Sequence, residues 1–262
     1  MSKPPKYLHK YFSLFDDKRR SWLRECIQES TVYCSSPLDF NDPFESRFLI
    51  DATDDPEVVR AALEDPEFRE TIRLPRSAPI TPELVTRLME HAKKQVGPYP
   101  ETLRTKLLQE ISVCCFSRSP TNSLLWAHYG DGHRGVCLRF QTDKDPEFFR
   151  HAHRVTYQAP FPRVSMISNA SDREGTSVAL TKASHWRYEG EWRVLMVDVP
   201  PGPQPVKPPA LKAIIFGWRA SEEDRATVSY WAYSRTPQPR LISVSGRPDS
   251  YGLRLIQESG AT

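Results

Sequence analysis

Polar and apolar residues alternate with a period of two near the start of the chain. Tyr7, His9 and Tyr11 fall on one face and Leu8, Lys10 and Phe12 on the other, which predicts a first strand over 7–14. At 16–28 the period lengthens to that of a helix. Trp22, Leu23, Cys26 and Ile27 share a face there, and Asp16 or Asp17 supplies the cap. A brief strand, Thr31–Cys34, is broken by Ser35-Ser36-Pro37. Residues 38–45 read as a turn-rich loop in which Asn41-Asp42-Pro43 lies between Phe40 and Phe44, both expected to be buried.

Residues 51–110 change character. Charged segments of helical period, 56–63 and 82–94, are joined by Pro-containing loops, and the stretch reads as a helical insertion that shapes or covers a site. Beyond it strands dominate: 111–117, 135–140, 154–157, 191–199, 211–216, 241–244 and 251–256. A short helix starts at Asn122 or Ser123 and stops at Gly130-Asp131-Gly132. Residues 177–183 read as helical, and Ser221-Glu222-Glu223-Asp224 opens a helix to about 233. Segments 161–176 and 200–209 read as loops, and no internal repeat is present. The prediction is one α+β domain over 1–262, a mixed or antiparallel split sheet with flanking helices and the 51–110 insertion.

Composition adds constraints. The 262 residues, 39% apolar and 26% charged, are those of a soluble globular chain, and a net charge of +3 does not by itself argue for nucleic acid. The five Cys (Cys26, Cys34, Cys114, Cys115, Cys137) lack metal-ligand spacing and are odd in number. They are expected as reduced, mostly buried thiols in a cytoplasmic protein that needs no metal. Met-Ser-Lys-Pro-Pro-Lys has no apolar signal region, and no apolar run reaches 18 residues, so no membrane partner is expected.

Four constellations carry candidate chemistry. In 185–195, Glu189 and Glu191 are expected on one face of a strand with Arg193. Stacked carboxylates repel, so either Lys182 and Arg193 pair with them in a ladder, or the pair holds ribose hydroxyls or a developing cation. Asn41 and Glu45 in the 41–45 loop are read either as an Asx-turn with a salt-bridged anchor, or as site residues. Trp126, His128 and Tyr129 offer rings and a donor beside a Gly-rich turn, with His133 and Arg134 expected in solvent. His9, Lys10 and Tyr11 meet a ligand at the sheet's opening or serve packing.

In order along the chain, Tyr7-Leu8-His9-Lys10-Tyr11, Phe40-Asn41-Asp42-Pro43-Phe44-Glu45, Cys115-Phe116-Ser117, Leu125-Trp126-Ala127-His128-Tyr129, and Trp186 to Arg193 resemble a large bacterial family known only as a domain of unknown function. The layout is also similar to that of ADP-ribosyltransferases. That resemblance implies a first-strand His9 or Lys10, a middle-strand Ser117 with Trp126 and Tyr129 beside the nicotinamide, and Glu189 and Glu191 as a Glu-x-Glu pair. It implies NAD as substrate and a macromolecular acceptor, protein or nucleic acid. Glu191 would stabilise the oxocarbenium-like ribose, Glu189 would orient the nucleophile, and His128 and Lys10 would hold phosphate or ribose. This sequence departs from the pattern in lacking a Ser-Thr-Ser triplet. The family also resembles genes of mobile and defence islands, which implies a toxin or anti-phage effector. The rival expectations are a module that binds nucleotides or single-stranded nucleic acid by stacking, and a metal-independent hydrolase or nuclease using His128 with Glu45 or Glu191.

Overall fold

The alternating segments meet in one eight-stranded sheet in the order Leu253–Gln257, Arg240–Gly246, Leu211–Phe216, Val136–Gln141, Tyr7–Phe12, Ile111–Ser117, Glu191–Val197, Ala152–Arg154. The computed structural model describes residues 3–53, 55–99, 101–165 and 171–257. Neighbouring strands run antiparallel except Leu211–Phe216 and Arg240–Gly246, a parallel pair that requires the crossover helix Glu222–Tyr233 between them. The class is α+β.

Pairing is uneven across this sheet. Tyr7–Phe12 pairs with Val136–Gln141 at six positions, from Tyr7 opposite Gln141 to Phe12 opposite Val136. Ile111–Ser117 pairs with Glu191–Val197 at seven. Between these two zipped halves only His9 and Ser117 are paired. The sheet is therefore split, and the backbone of the two splayed strands is free to line an opening.

On one face, Leu8, Phe12, Phe116 and Phe140 pack with Leu23 and Ile27 of the helix Asp17–Gln28 and with Val228 and Ala232 of Glu222–Tyr233. Asp16 caps the first of these helices by accepting from the Arg19 N–H, and Ser221 caps the second by accepting from the Asp224 N–H. The insertion is helical, with Pro56–Glu64, Pro66–Thr71, Pro82–Lys94 and Glu101–Leu108. Each of the first three opens on a capping Asp or Thr followed by Pro, a residue suited to the first turn. They gather their own core around Val59, Leu63, Phe68 and Val85. The fourth helix instead sends Leu108 into a cluster with Ile111, Val113 and Leu195 of the sheet.

Several segments differ from the sequence expectation. The strand begins at Glu191 as expected, but residues 184–189 before it form a 3-10 turn, set off by Gly190 with a left-handed φ of 52°. Glu189 and Glu191 are thus not two steps of one strand. The strand also ends two residues early, at Val197, where Asp198 has φ 58°. The expected 154–157 strand is two, Ala152–Arg154 and Thr156–Gln158. The helix near 177 is Ser171–Ala179, and Thr181–Ala183 continues as a strand parallel to Thr156–Gln158. Of the expected 161–176 loop, Arg163–Ser165 is a strand and 166–170 lies outside the described residues. In the expected 200–209 loop, Gly202–Pro205 pairs with Thr31–Cys34 as an edge, where its Pro residues cost no ladder bond. Phe44, expected inside, is 56% exposed.

Gly135 lies where three segments converge. A Cβ there would fall 2.1 Å from the Phe12 carbonyl oxygen. Relieving that contact means moving backbone of the first strand. Gly135→Ala is expected to lower the melting temperature by roughly 5–10 °C. Thermal denaturation followed by circular dichroism checks this, and an unchanged midpoint would contradict the close approach.

Candidate functional site

A cavity of about 340 Å³ opens at the split between the first strand and Ile111–Ser117. His9, Lys10 and Tyr11 line one side, and Cys115, Phe116 and Ser117 the other. Glu191 and Arg193 come from the next strand, Lys182 and Glu189 from the segment before it, and Asn41 and Glu45 from the loop below. His128 and Tyr129 project from the helix Ser123–His128 and its cap. One row runs straight across the sheet, since Arg139 pairs with His9, His9 with Ser117, and Ser117 with Glu191. Opposed residues share a face, so these side chains project together.

Three carboxylates and two cations, all largely buried, converge on the cavity wall. Arg193 is 1% exposed. Its Nε donates to Glu191 Oε1 at 2.8 Å, and its Nη2 to Glu191 Oε2 at 3.1 Å and to Glu45 Oε1 at 2.5 Å. Its Nη1 donates to the Ala179 carbonyl. Lys182 Nζ donates to Glu189 Oε2 at 2.6 Å and to Glu191 Oε2 at 3.1 Å, with Glu45 Oε2 4.0 Å away. Tyr129 completes the set by donating its hydroxyl to Glu189 Oε1 at 2.8 Å. Glu189 and Glu191 therefore meet through Lys182, not through strand periodicity.

The two carboxylates are held differently. Burial works against the charge of Glu191, but Arg193 and Lys182 outweigh it and keep the group well below the ordinary carboxylate range. Burial raises Glu189, and Lys182 offsets that only in part. A carboxylate offers about four acceptor positions. Glu191 also takes a hydrogen bond from the Cys115 thiol, so protein donors surround it on the cavity wall.

His9 is fully engaged. Arg139 Nε has only a proton to give, so His9 Nε2 accepts it at 3.1 Å and the imidazole proton lies on Nδ1, 3.3 Å from the Ser117 carbonyl. Burial first, and Arg139 second, pull its pKa down to about 4. His9 is neutral at pH 7 and orients the seam. Ser117 donates its hydroxyl to the Glu189 carbonyl at 2.7 Å. Lys10 Nζ donates to the Cys115 carbonyl at 3.4 Å, reaching backbone freed by the split. Tyr11 donates its hydroxyl to the Ser119 carbonyl at 2.7 Å. Across the 41–45 loop, Asp42 makes the Asx-turn by accepting from the Phe44 N–H and also takes the Trp186 indole N–H at 2.7 Å. Asn41 is left at the cavity wall. Glu45 is a salt-bridged anchor held by Arg193, while the nearby Arg47 donates to the Pro43 carbonyl.

Trp126 does not reach the cavity. Its ring is 0% exposed, packs edge-on against Tyr11, and gives its N–H to the Pro120 carbonyl. The expected ring contact there is corrected to a core role. Exposed His128 instead joins Trp186 and Tyr188, with ring centroids 6.0 Å and 6.4 Å away. Arg134 is solvent-facing and pairs with Asp131. Arg139 and Tyr157 were not anticipated, although Tyr157 accepts the Glu191 backbone N–H at its hydroxyl, 2.8 Å away. The lone Arg in the otherwise apolar run Val136-Cys137-Leu138-Arg139-Phe140 was the available signal. Among the described residues, no group of three or more His, Cys, Asp or Glu is placed to hold a metal ion, and no helix is long and apolar enough to cross a membrane.

Residues 125–194 match the family model described as a protein of unknown function (DUF2971), in agreement with the resemblance drawn from the motifs. The matched stretch carries His128, Tyr129, Lys182, Glu189, Glu191 and Arg193, the chemical half of the cavity wall. No curated protein and no solved structure matches the chain.

Two outcomes follow from this geometry. Arg193→Met strands Glu45 and Glu191 in the interior and is expected to cost about 3–5 kcal/mol in denaturant unfolding at pH 7. Loss below about 1 kcal/mol would mean the network is not closed to water. For His9, the folded pKa of about 4 lies below the ordinary 6.5. Its contribution to stability is present in full above pH 6.5 and is lost as pH falls toward 4, about 3 kcal/mol over that window. Unfolding of His9→Gln across pH 4–7 is expected to show a correspondingly shallower pH dependence, and an unchanged slope would refute a neutral buried His9.

Proposed function

We propose that the chain is a nucleotide-dependent enzyme that cleaves or transfers from NAD in the manner of an ADP-ribosyltransferase. The observation that carries the reading is the in-register row of His9, Ser117 and Glu191 at the single joint of a split sheet, with a cavity over it. It matches the first-strand, middle-strand and Glu-strand order that the resemblance implies. In this reading the bond from ribose C1′ to the nicotinamide nitrogen breaks, and its electron pair leaves with nicotinamide. Glu191, kept ionised by Arg193 and Lys182, faces the positive charge that develops on the ribose. A ribose hydroxyl donates to the Glu191 carboxylate on the cavity wall. Glu189, raised by burial, accepts the proton of the attacking hydroxyl as the new C1′–O bond forms. Tyr129 contributes the ring face expected of Trp126 as well, and it positions Glu189 through its hydroxyl. Environments that push two adjacent carboxylates apart in pKa are how one site supplies a fixed charge and a proton acceptor together.

A binding module is the second reading, favoured by the His128, Trp186 and Tyr188 rings at the cavity's edge, which suit stacking of a base. Thermal shift and nicotinamide release, measured together with NAD, separate the two. The transferase reading expects release that falls by about 10²-fold or more in Glu191→Gln, with the circular dichroism spectrum retained. Stabilisation without release would transfer the site to the binding reading. Neither, with or without cell extract, would overturn the use of NAD.

A further inference from the structure

Behind the cavity wall lies a cluster of thiols that the proposed chemistry does not use. Ser35 and Val113 form an isolated antiparallel bridge in which each N–H donates to the other's carbonyl, at 2.9 Å and 2.8 Å. That closed pair fixes its neighbours. One step along each strand, Cys34 and Cys114 face each other at a non-hydrogen-bonded position, where Cα atoms come within about 4.5 Å. Disulfides span about 4.4–6.8 Å between Cα atoms, so no backbone movement of consequence is needed to join the two. Both side chains are 0% exposed and lie on the same side of the sheet, in one apolar cluster.

The surroundings make one thiol nucleophilic. Burial disfavours a thiolate at Cys114, but a hydrogen bond from the Cys34 thiol and the Lys10 ammonium beside it outweigh burial and bring its pKa down to about 7. Cys34 is pushed up in turn, chiefly by that same hydrogen bond. Cys26, in the same cluster, is raised to about 12 by burial. Lys10 lines the cavity and sets its ammonium beside Cys114, which connects the cavity wall to the thiol pair.

We propose that Cys34 and Cys114 are a peroxide-reactive thiol pair that closes a cross-strand disulfide beside Lys10. The Cys114 thiolate attacks a peroxide oxygen, the O–O bond breaks, and the protein keeps a sulfenic acid while hydroxide leaves. The Cys34 sulfur then attacks Cys114 sulfur, the S–O bond breaks, and water leaves with the Cys34 proton. Two thiols lose two electrons and two protons, and hydrogen peroxide becomes two waters. The disulfide ties Thr31–Cys34 to Ile111–Ser117 and removes the thiolate that Lys10 faces. This inference stands apart from any use of NAD.

The test is made on the full chain with hydrogen peroxide, followed by alkylation of free thiols in denaturant and peptide mapping. The expected result is loss of two of the five thiols, a Cys34–Cys114 linked peptide pair, and recovery of all five after reduction. The reaction rate should rise with pH as the Cys114 thiol ionises and level off below the range of an ordinary thiol. In Cys34→Ser, a dimedone adduct should collect at Cys114, while Cys26→Ser should leave the linkage intact. All five thiols surviving peroxide, a linkage through Cys26, or overoxidation of Cys114 without any linkage would each overturn the proposal. The three overturning outcomes are read on the wild-type chain and do not depend on a variant folding.

Discussion

Arg193 has a guanidinium in the interior, and a buried guanidinium must be met by oxygen on nearly every N–H. The oxygens come from three separate elements, one of them 148 positions away. The 41–45 loop gives Glu45, the end of the Ser171–Ala179 helix gives its Ala179 carbonyl, and the strand itself gives Glu191. A loop, a helix end and a strand are thus tied together by the cation they share. Lys182 repeats the arrangement a few ångströms away by joining the 3-10 turn to the strand. Electrostatic satisfaction at this one place thus fixes three walls of the cavity.

The split supplies the fourth wall. Had the first strand paired along its whole length with Ile111–Ser117, the peptide groups of both would be consumed in the ladder and no opening would exist. A single joint at His9 and Ser117 keeps the halves in register and leaves the Cys115 carbonyl for Lys10. The Arg139–His9–Ser117 relay holds that joint, and His9 does so only as a neutral ring, with one nitrogen accepting and the other donating. The insertion acts differently. Three of its helices satisfy one another, and only the fourth leans on the sheet.

Much of the site was legible because alternation is a local rule. Tyr7, His9 and Tyr11 share a face, and the motif residues Glu45, Ser117, Tyr129, Glu189, Glu191 and Arg193 reach one cavity. The errors have physical causes. Strand periodicity predicts Glu189 and Glu191 on one face but stops at Gly190, since a glycine between two carboxylates is where a left-handed turn is cheapest. Trp126 was grouped with His128 and Tyr129. On a helix, residues two apart point about 200° from each other, so the face that shows His128 to the cavity shows Leu125 and Tyr129 with it and turns Trp126 inward. Arg139 and Tyr157 escaped notice because their roles are made by partners more than thirty positions away, which no window on the sequence spans. Short strands such as Gly202–Pro205 form only because an edge at Thr31–Cys34 is waiting for them, so composition alone read them as loop.

The row from His9 through Ser117 to Glu191 has a temporal consequence. Its members are separated by 108 and then 74 positions along the chain, so every contact in it closes a long loop. Contacts of that kind form slowly and late, whereas the helices at 56–94 need only their neighbours. During synthesis the first strand can pack on the helix that follows it, but the row stays open until the strand bearing Glu191 has left the ribosome. The chain is thus assembled around an absence, and its chemistry comes into being as one of the last acts of folding.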